Sequence, residues 1–204
     1  MFRRTHLSCV LVFLIILTIT SVEAKKLTVD TSTPCGGMSV VDANPVELLP
    51  ILGEGSGWLI DWTATCLDMG GQKMMGVLIP RSRVLAARYV KGQDAVAVTL
   101  TINQDEEQSS GSALNMSPEA AQYSMVKPIS SKKITFADKE AFAGVLGGMG
   151  EYRQDVLDVM LSPHAVLNIQ REYTSAGKPM DMVQWAKDVL KVEAYEDPDW
   201  VKAD

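Results

Sequence analysis

Residues 95–103 read Ala-Val-Ala-Val-Thr-Leu-Thr-Ile-Asn and alternate without a break. Val96, Val98, Leu100 and Ile102 fall on one side, while Ala95, Ala97, Thr99 and Thr101 fall on the other. Successive side chains of a strand point to opposite faces, so this pattern predicts a half-buried β-strand. Val84 to Val90 has the same character, and Lys91-Gly92-Gln93-Asp94 between the two runs has turn composition, with Gly92 able to take a positive φ. The pair predicts an antiparallel hairpin with one apolar face, and that face needs a cover.

The cover is legible near the end of the chain. Met182, Trp185, Ala186, Val189 and Leu190 follow i, i+3, i+4, i+7, i+8, which predicts an amphipathic helix over Pro179 to Val192 with one sheet-facing stripe. Between the hairpin and this helix, Lys133 to Phe136 pairs with Glu140 to Leu146 around Ala137-Asp138-Lys139. Val156 to Leu161 pairs with Ala165 to Tyr173 across Ser162-Pro163-His164. Glu151 to Leu161 also suits helical spacing through Tyr152, Val156 and Val159, so its state is open on periodicity alone. Upstream of the hairpin, Trp58, Ile60, Trp62, Ala64 and Cys66 alternate onto one face, and Met74 to Ile79, apolar on both sides, suits a central strand closed by Pro80. Asn44-Pro45 and Ser117-Pro118-Glu119 each have the form of a helix start. The fold class is therefore α+β: an antiparallel sheet of about six to eight strands, packed by a C-terminal amphipathic helix and one or two shorter helices.

The chain has 204 residues and opens with Arg3 and Arg4, an uncharged apolar run from Leu7 to Thr20, and small or modest side chains at Val22-Glu23-Ala24. These are the parts of a cleavable signal peptide, and the apolar run is short for a membrane span, which needs about 20 residues. The expected organisation is a signal over 1–24, one α+β domain over 25–192 and an acidic tail over 193–204. Contact with a membrane is then confined to export, and the expected location is periplasmic or secreted. The full chain carries a net charge of −6; loss of residues 1–24 leaves 17 basic against 24 acidic residues, or −7. An acidic chain without clustered Lys and Arg is a poor partner for nucleic acid. Cys35 and Cys66 remain after such a cleavage, and in an oxidising compartment they predict a disulfide.

Recognisable catalytic chemistry is missing. Nucleophile–base catalysis calls for a base beside the nucleophile, and the one histidine after Ala24, His164, sits in a Ser-Pro-His turn with no motif around it. There is no Gly-x-Ser-x-Gly, His-Glu-x-x-His or phosphate-loop pattern. No catalytic residue, metal ligand or cofactor is assigned. Ten of the eleven methionines follow Ala24; their soft thioethers suit Cu(I), while the commoner uses are gap filling and adaptable binding surfaces. The expected function is a non-catalytic protein that binds a protein partner, for example an immunity-type inhibitor of a secreted toxin. Tyr195 and Trp200 in the acidic tail are the candidate contacts. The alternatives are an enzyme with dispersed residues and a small-ligand or Cu(I) carrier.

Overall fold

The computed structural model describes residues 35, 39–106, 128–147, 151–174 and 176–202. The expected signal, the helix start at Ser117 and the polar run from residue 107 lie outside the described residues. The strands are β1 (Leu59–Met69), β2 (Lys73–Met74), β3 (Val77–Leu78), β4 (Ser82–Lys91), β5 (Asp94–Asn103), β6 (Pro128–Phe136), β7 (Lys139–Gly147), β8 (Tyr152–Ser162) and β9 (Ala165–Thr174); one α-helix, α1 (Met182–Val189), follows. Seven strands form one antiparallel sheet in the order β1-β4-β5-β9-β8-β7-β6, while β2 and β3 pair only with each other.

The opening hairpin forms as its alternation requires. Val96, Val98, Leu100 and Ile102 are fully buried, Ala97 to Ile102 pair on the far side with β9, and Gly92 takes φ +61° in the turn. The turn between β6 and β7 holds Ala137 and Asp138 at φ +48° and +60°, the left-handed pair that a two-residue hairpin demands. The segment Glu151 to Leu161, open between helix and strand, is strand from Tyr152 onward, because β7 and β9 flank β8 and complete its hydrogen bonding.

α1 covers the sheet as its stripe predicts: Met182, Trp185, Ala186 and Val189 are buried, and Asp181 caps the first turn by accepting from the Val183 and Gln184 amides. Trp185 meets Trp58 and Tyr89 edge to face, with centroids 5.7 and 5.3 Å away. The glycines after the Asn44-Pro45 turn let the chain pass against the helix end. A Cβ on Gly53 would stand 2.3 Å from the Val189 carbonyl oxygen, and one on Gly55 would stand 2.1 Å from that of Asp188. Lys191 N–H donates to the Ile51 carbonyl at 2.7 Å and fixes this seam.

Four expectations need correction. The alternating run from Trp58 to Cys66 does not share a face. The register slips between Ile60 and Trp62, so Ile60 opposes Tyr89 on the helix side while Trp62, Ala64 and Cys66 turn to the other side. Met74 to Ile79 is no central strand; it is the exposed β2–β3 hairpin, because Gly70, Gly71 and Gly76 take positive φ and swing it off the sheet. Asn44-Pro45 opens a run of turns rather than a helix, with Leu48 N–H returning to the Pro45 carbonyl and Ile51 N–H to that of Leu48. The C-terminal segment is part of the packing: Val192 and Val201 are buried, and Tyr195 and Trp200 lie against the core.

Cys35 and Cys66 are disulfide-bonded, with Cα atoms 5.3 Å apart. The bridge lies on the sheet face away from α1, beside Ala64, Ala86, Trp62 and Val84. It is consistent with an oxidising compartment.

Stability should follow this packing. Trp185→Ala should cost about 3–5 kcal/mol through lost burial and a cavity, and Lys187→Ala should stay within about 0.5 kcal/mol. Trp200→Ala should fall between them, at about 1–2 kcal/mol, as its contact with arginine is partly desolvated. Denaturant melts rank the three variants, and a Trp200→Ala melt that matches the wild type would show that the segment does not support the fold. Cys66→Ser should cost about 3–4 kcal/mol for the lost loop closure, read from the same melts under non-reducing conditions.

Candidate functional site

Polar side chains gather where β1 ends and β4 begins. Asp68 and Arg83 oppose each other in the ladder, and Arg81 immediately precedes β4. Arg81 donates from Nε and Nη2 to the two Asp68 oxygens at 2.9 and 2.8 Å; Arg83 adds Nη2 at 2.7 Å and Nε at 3.2 Å. The remaining arm of Arg83 pairs with Glu47, whose Oε1 also accepts from the Trp200 indole at 3.3 Å. The Arg81 guanidinium lies over the Trp200 ring at 4.8 Å. The bonds from Arg81, reinforced by Arg83, outweigh burial and pull the Asp68 carboxyl down to about 2. This is a charge-balanced cluster that ties four chain segments together, with Glu47 Oε2 buried and without a hydrogen-bond partner among the described residues. It has no nucleophile.

Tyr195 lies next to it. Its hydroxyl and that of Ser162 both donate to Asp197 Oδ1, at 3.0 and 2.7 Å. Burial, then the Asp197 charge, holds the Tyr195 phenol far above its ordinary value. His164 sets Nδ1 3.1 Å from the Asn103 carbonyl oxygen and Nε2 3.3 Å from Glu106, while Ser162 Oγ accepts the His164 backbone N–H at 3.1 Å. The imidazole therefore braces a turn, and its nitrogens point at those two groups rather than at the Ser162 hydroxyl. Tyr195 and Trp200, the two tail residues singled out in the sequence, are thus close to one cluster and half-buried in it.

A second polar feature lies under the start of α1. An open groove of about 620 Å³ runs between β6–β7 and the helix, with Ile134, Ala143, Met180 and Val183 on its walls and Asp155 at its base. Burial raises the Asp155 carboxyl above its ordinary value, against the lowering effect of the Met180 amide, Tyr173 and Arg171. Its Oδ2 accepts from Met180 N–H at 2.6 Å and from Arg171 Nη1 at 3.5 Å. The acid secures the approach to α1. Among the described residues, no group of three or more His, Cys, Asp or Glu is placed to hold a metal.

The surface tells a different story. Twelve large hydrophobic side chains are exposed among the described residues, and ten of them fall within residues 40–78: Val40, Val41, Val46, Leu49, Leu59, Met69, Met74, Met75, Val77 and Leu78. Val41 lies alongside β1, bonding through its N–H to the Thr65 carbonyl at 2.8 Å. The β2–β3 hairpin then projects beyond the end of β1, with Met75 fully exposed at its turn (100%) and φ +50°. From Met69 to Pro80 the one charged residue is Lys73. Singly exposed apolar residues are ordinary, but several together, as on the β2–β3 hairpin, are a mark of an interaction surface. The apolar run from Met74 to Ile79 is the sequence signal for this tip. It reads equally as a buried strand, and the bracketing glycines are what distinguish the two.

Comparison with family models, with curated proteins and with solved structures returns no match.

The lowered Asp68 carboxyl sets a pH dependence. A carboxyl at about 2 when folded, against an ordinary 3.8, contributes stability that is fully present above pH 4 or so and is lost as pH falls through about 2. Asp68→Asn should therefore lower stability at neutral pH and flatten the acid limb of a stability–pH profile in that window. An unchanged acid limb would assign it to other carboxylates.

Proposed function

We propose that this chain is an exported, non-catalytic binding protein that engages a protein partner through the apolar side built from β1, the segment beside it and the β2–β3 hairpin. The observation that carries the reading is the number of exposed large hydrophobics on those elements, eight of the twelve among the described residues: Val40, Val41, Leu59, Met69, Met74, Met75, Val77 and Leu78. Three of the exposed side chains are methionines, Met69, Met74 and Met75, whose unbranched thioethers adapt to irregular partner surfaces. An anionic membrane is the poorer occupant, because the chain carries a net charge of −6 and only Lys73 stands beside the tip to offset it. The Cys35–Cys66 bridge supports a periplasmic or secreted setting.

The main competing reading is an enzyme acting at the groove over Asp155. That carboxylate already serves the Met180 amide and Arg171, and Asp181, also on the lining, caps α1, so both acids of the groove carry structural bonds. Tyr195 and Trp200 are spent on internal bonds to Asp197 and Glu47, which moves the proposed contact from the tail to the hairpin.

A photo-crosslinking amino acid at position 75 should give one discrete protein adduct in the native host, absent when the probe sits at position 187 on the exposed side of α1. Met74→Asp and Met75→Asp should each weaken binding of the identified partner roughly 30-fold, the scale of an interface hot spot, with unchanged denaturant melts. Adducts of equal yield and identity at both positions would sink the hairpin as the contact.

A further inference from the structure

Valine and leucine would make an equally apolar tip, but most of this one is built from thioethers. Met75 is 100% exposed, Met74 63% and Met69 56%, whereas Met182 beneath α1 is 3% exposed and Met160 and Met180 are partly buried. The difference that matters chemically is reactivity. A thioether accepts an oxygen atom and becomes a polar sulfoxide, and susceptibility follows exposure. The disulfide on the same chain is consistent with a compartment in which peroxides are not held down by cytosolic thiols.

We propose that Met69, Met74 and Met75 form an oxidation-sensitive site, and that their conversion to sulfoxides switches off the apolar hairpin surface. With hydrogen peroxide as oxidant, the sulfur lone pair attacks one peroxide oxygen and the O–O bond breaks. An S=O bond forms, and the second oxygen leaves as water after proton transfer. Sulfur loses two electrons and peroxide gains them. The product places a polar group where an apolar partner surface would be met, at side chains that carry no part of the core. Trp185, Trp58 and Tyr89 keep their contacts, so the switch acts on the surface and spares the fold. A sulfoxide at Met182, by contrast, would have to be accommodated inside the core. The consequence for docking rests on the hairpin reading above; the selectivity of oxidation does not.

The test uses the full chain and graded hydrogen peroxide, with oxidation at each methionine followed by peptide mass spectrometry. Met75 should oxidise at least about tenfold faster than Met182, with Met74 and Met69 between them, because rates track exposure. Equal rates would overturn the site. Retention on phenyl-agarose reads the apolar surface without any partner. Peroxide should reduce retention of the wild type to that of the untreated Met74→Asp/Met75→Asp variant, and should leave a Met69→Leu/Met74→Leu/Met75→Leu variant unchanged. Wild-type retention that survives tip oxidation would overturn the switch. A position-75 adduct missing before any oxidation would instead remove the docking reading alone.

Discussion

Trp185 holds this molecule together. Its indole stands edge-on to Trp58, which enters β1, and to Tyr89 near the end of β4, so one side chain joins the closing helix to two distant parts of the sheet. Such aromatic contacts add to simple burial, and they fix geometry because edge-to-face pairs prefer a narrow range of approach. Tyr89 extends the linkage by donating its hydroxyl to the Gly53 carbonyl at 3.1 Å; burial drives that phenol up to about 12. Gly53 in turn sits where a methyl group could not, against the last carbonyls of α1. Helix, glycine turn and sheet are consequently one packing problem with one solution.

With the helix side of the sheet filled in this way, the polar residues are left to the rims and to the opposite face. The Asp68–Arg81–Arg83–Glu47 cluster closes one rim, and Asp155 with Arg171 secures the approach to the helix. Asp158, on the face away from α1, is fully buried and accepts from Asn168 at 2.5 Å across the β8–β9 ladder. Acids that are already partnered stabilise a fold or fix its register; they are poorly disposed to act on a substrate. Among the described residues, these acids are committed to structure. Met74, Met75, Val77 and Leu78 gain nothing for the core by being apolar.

The hairpin follows β1, at one edge of the sheet. β1 is an edge strand, and edge strands invite pairing with other chains. Here the chain before β1 returns to it at Asp42 and Thr65, where the two residues bridge, and the register slips within β1 distort the edge further. Free backbone pairing is thereby limited on this side.

The sequence by itself determined the central alternation, the hairpins around Lys91-Gly92 and Ala137-Asp138, the helix stripe from Met182 to Leu190 and the cysteine pair. Each of these rests on spacing of two or 3.6 residues, or on a residue type with a single strong use, and such signals are local. Tertiary structure decided the rest. The slip at Asp61 reverses the faces of Trp62, Ala64 and Cys66, because one extra residue in a strand inverts every later side chain. Met74 to Leu78 reads as a buried strand until neighbours exist to bury it, and none of the described residues does so. Trp200 reads as a free tail residue until Arg81 and Glu47, more than 100 positions earlier, supply its cover. Burial is a property of what arrives from elsewhere in the chain, and periodicity records only the wish of a segment to be buried.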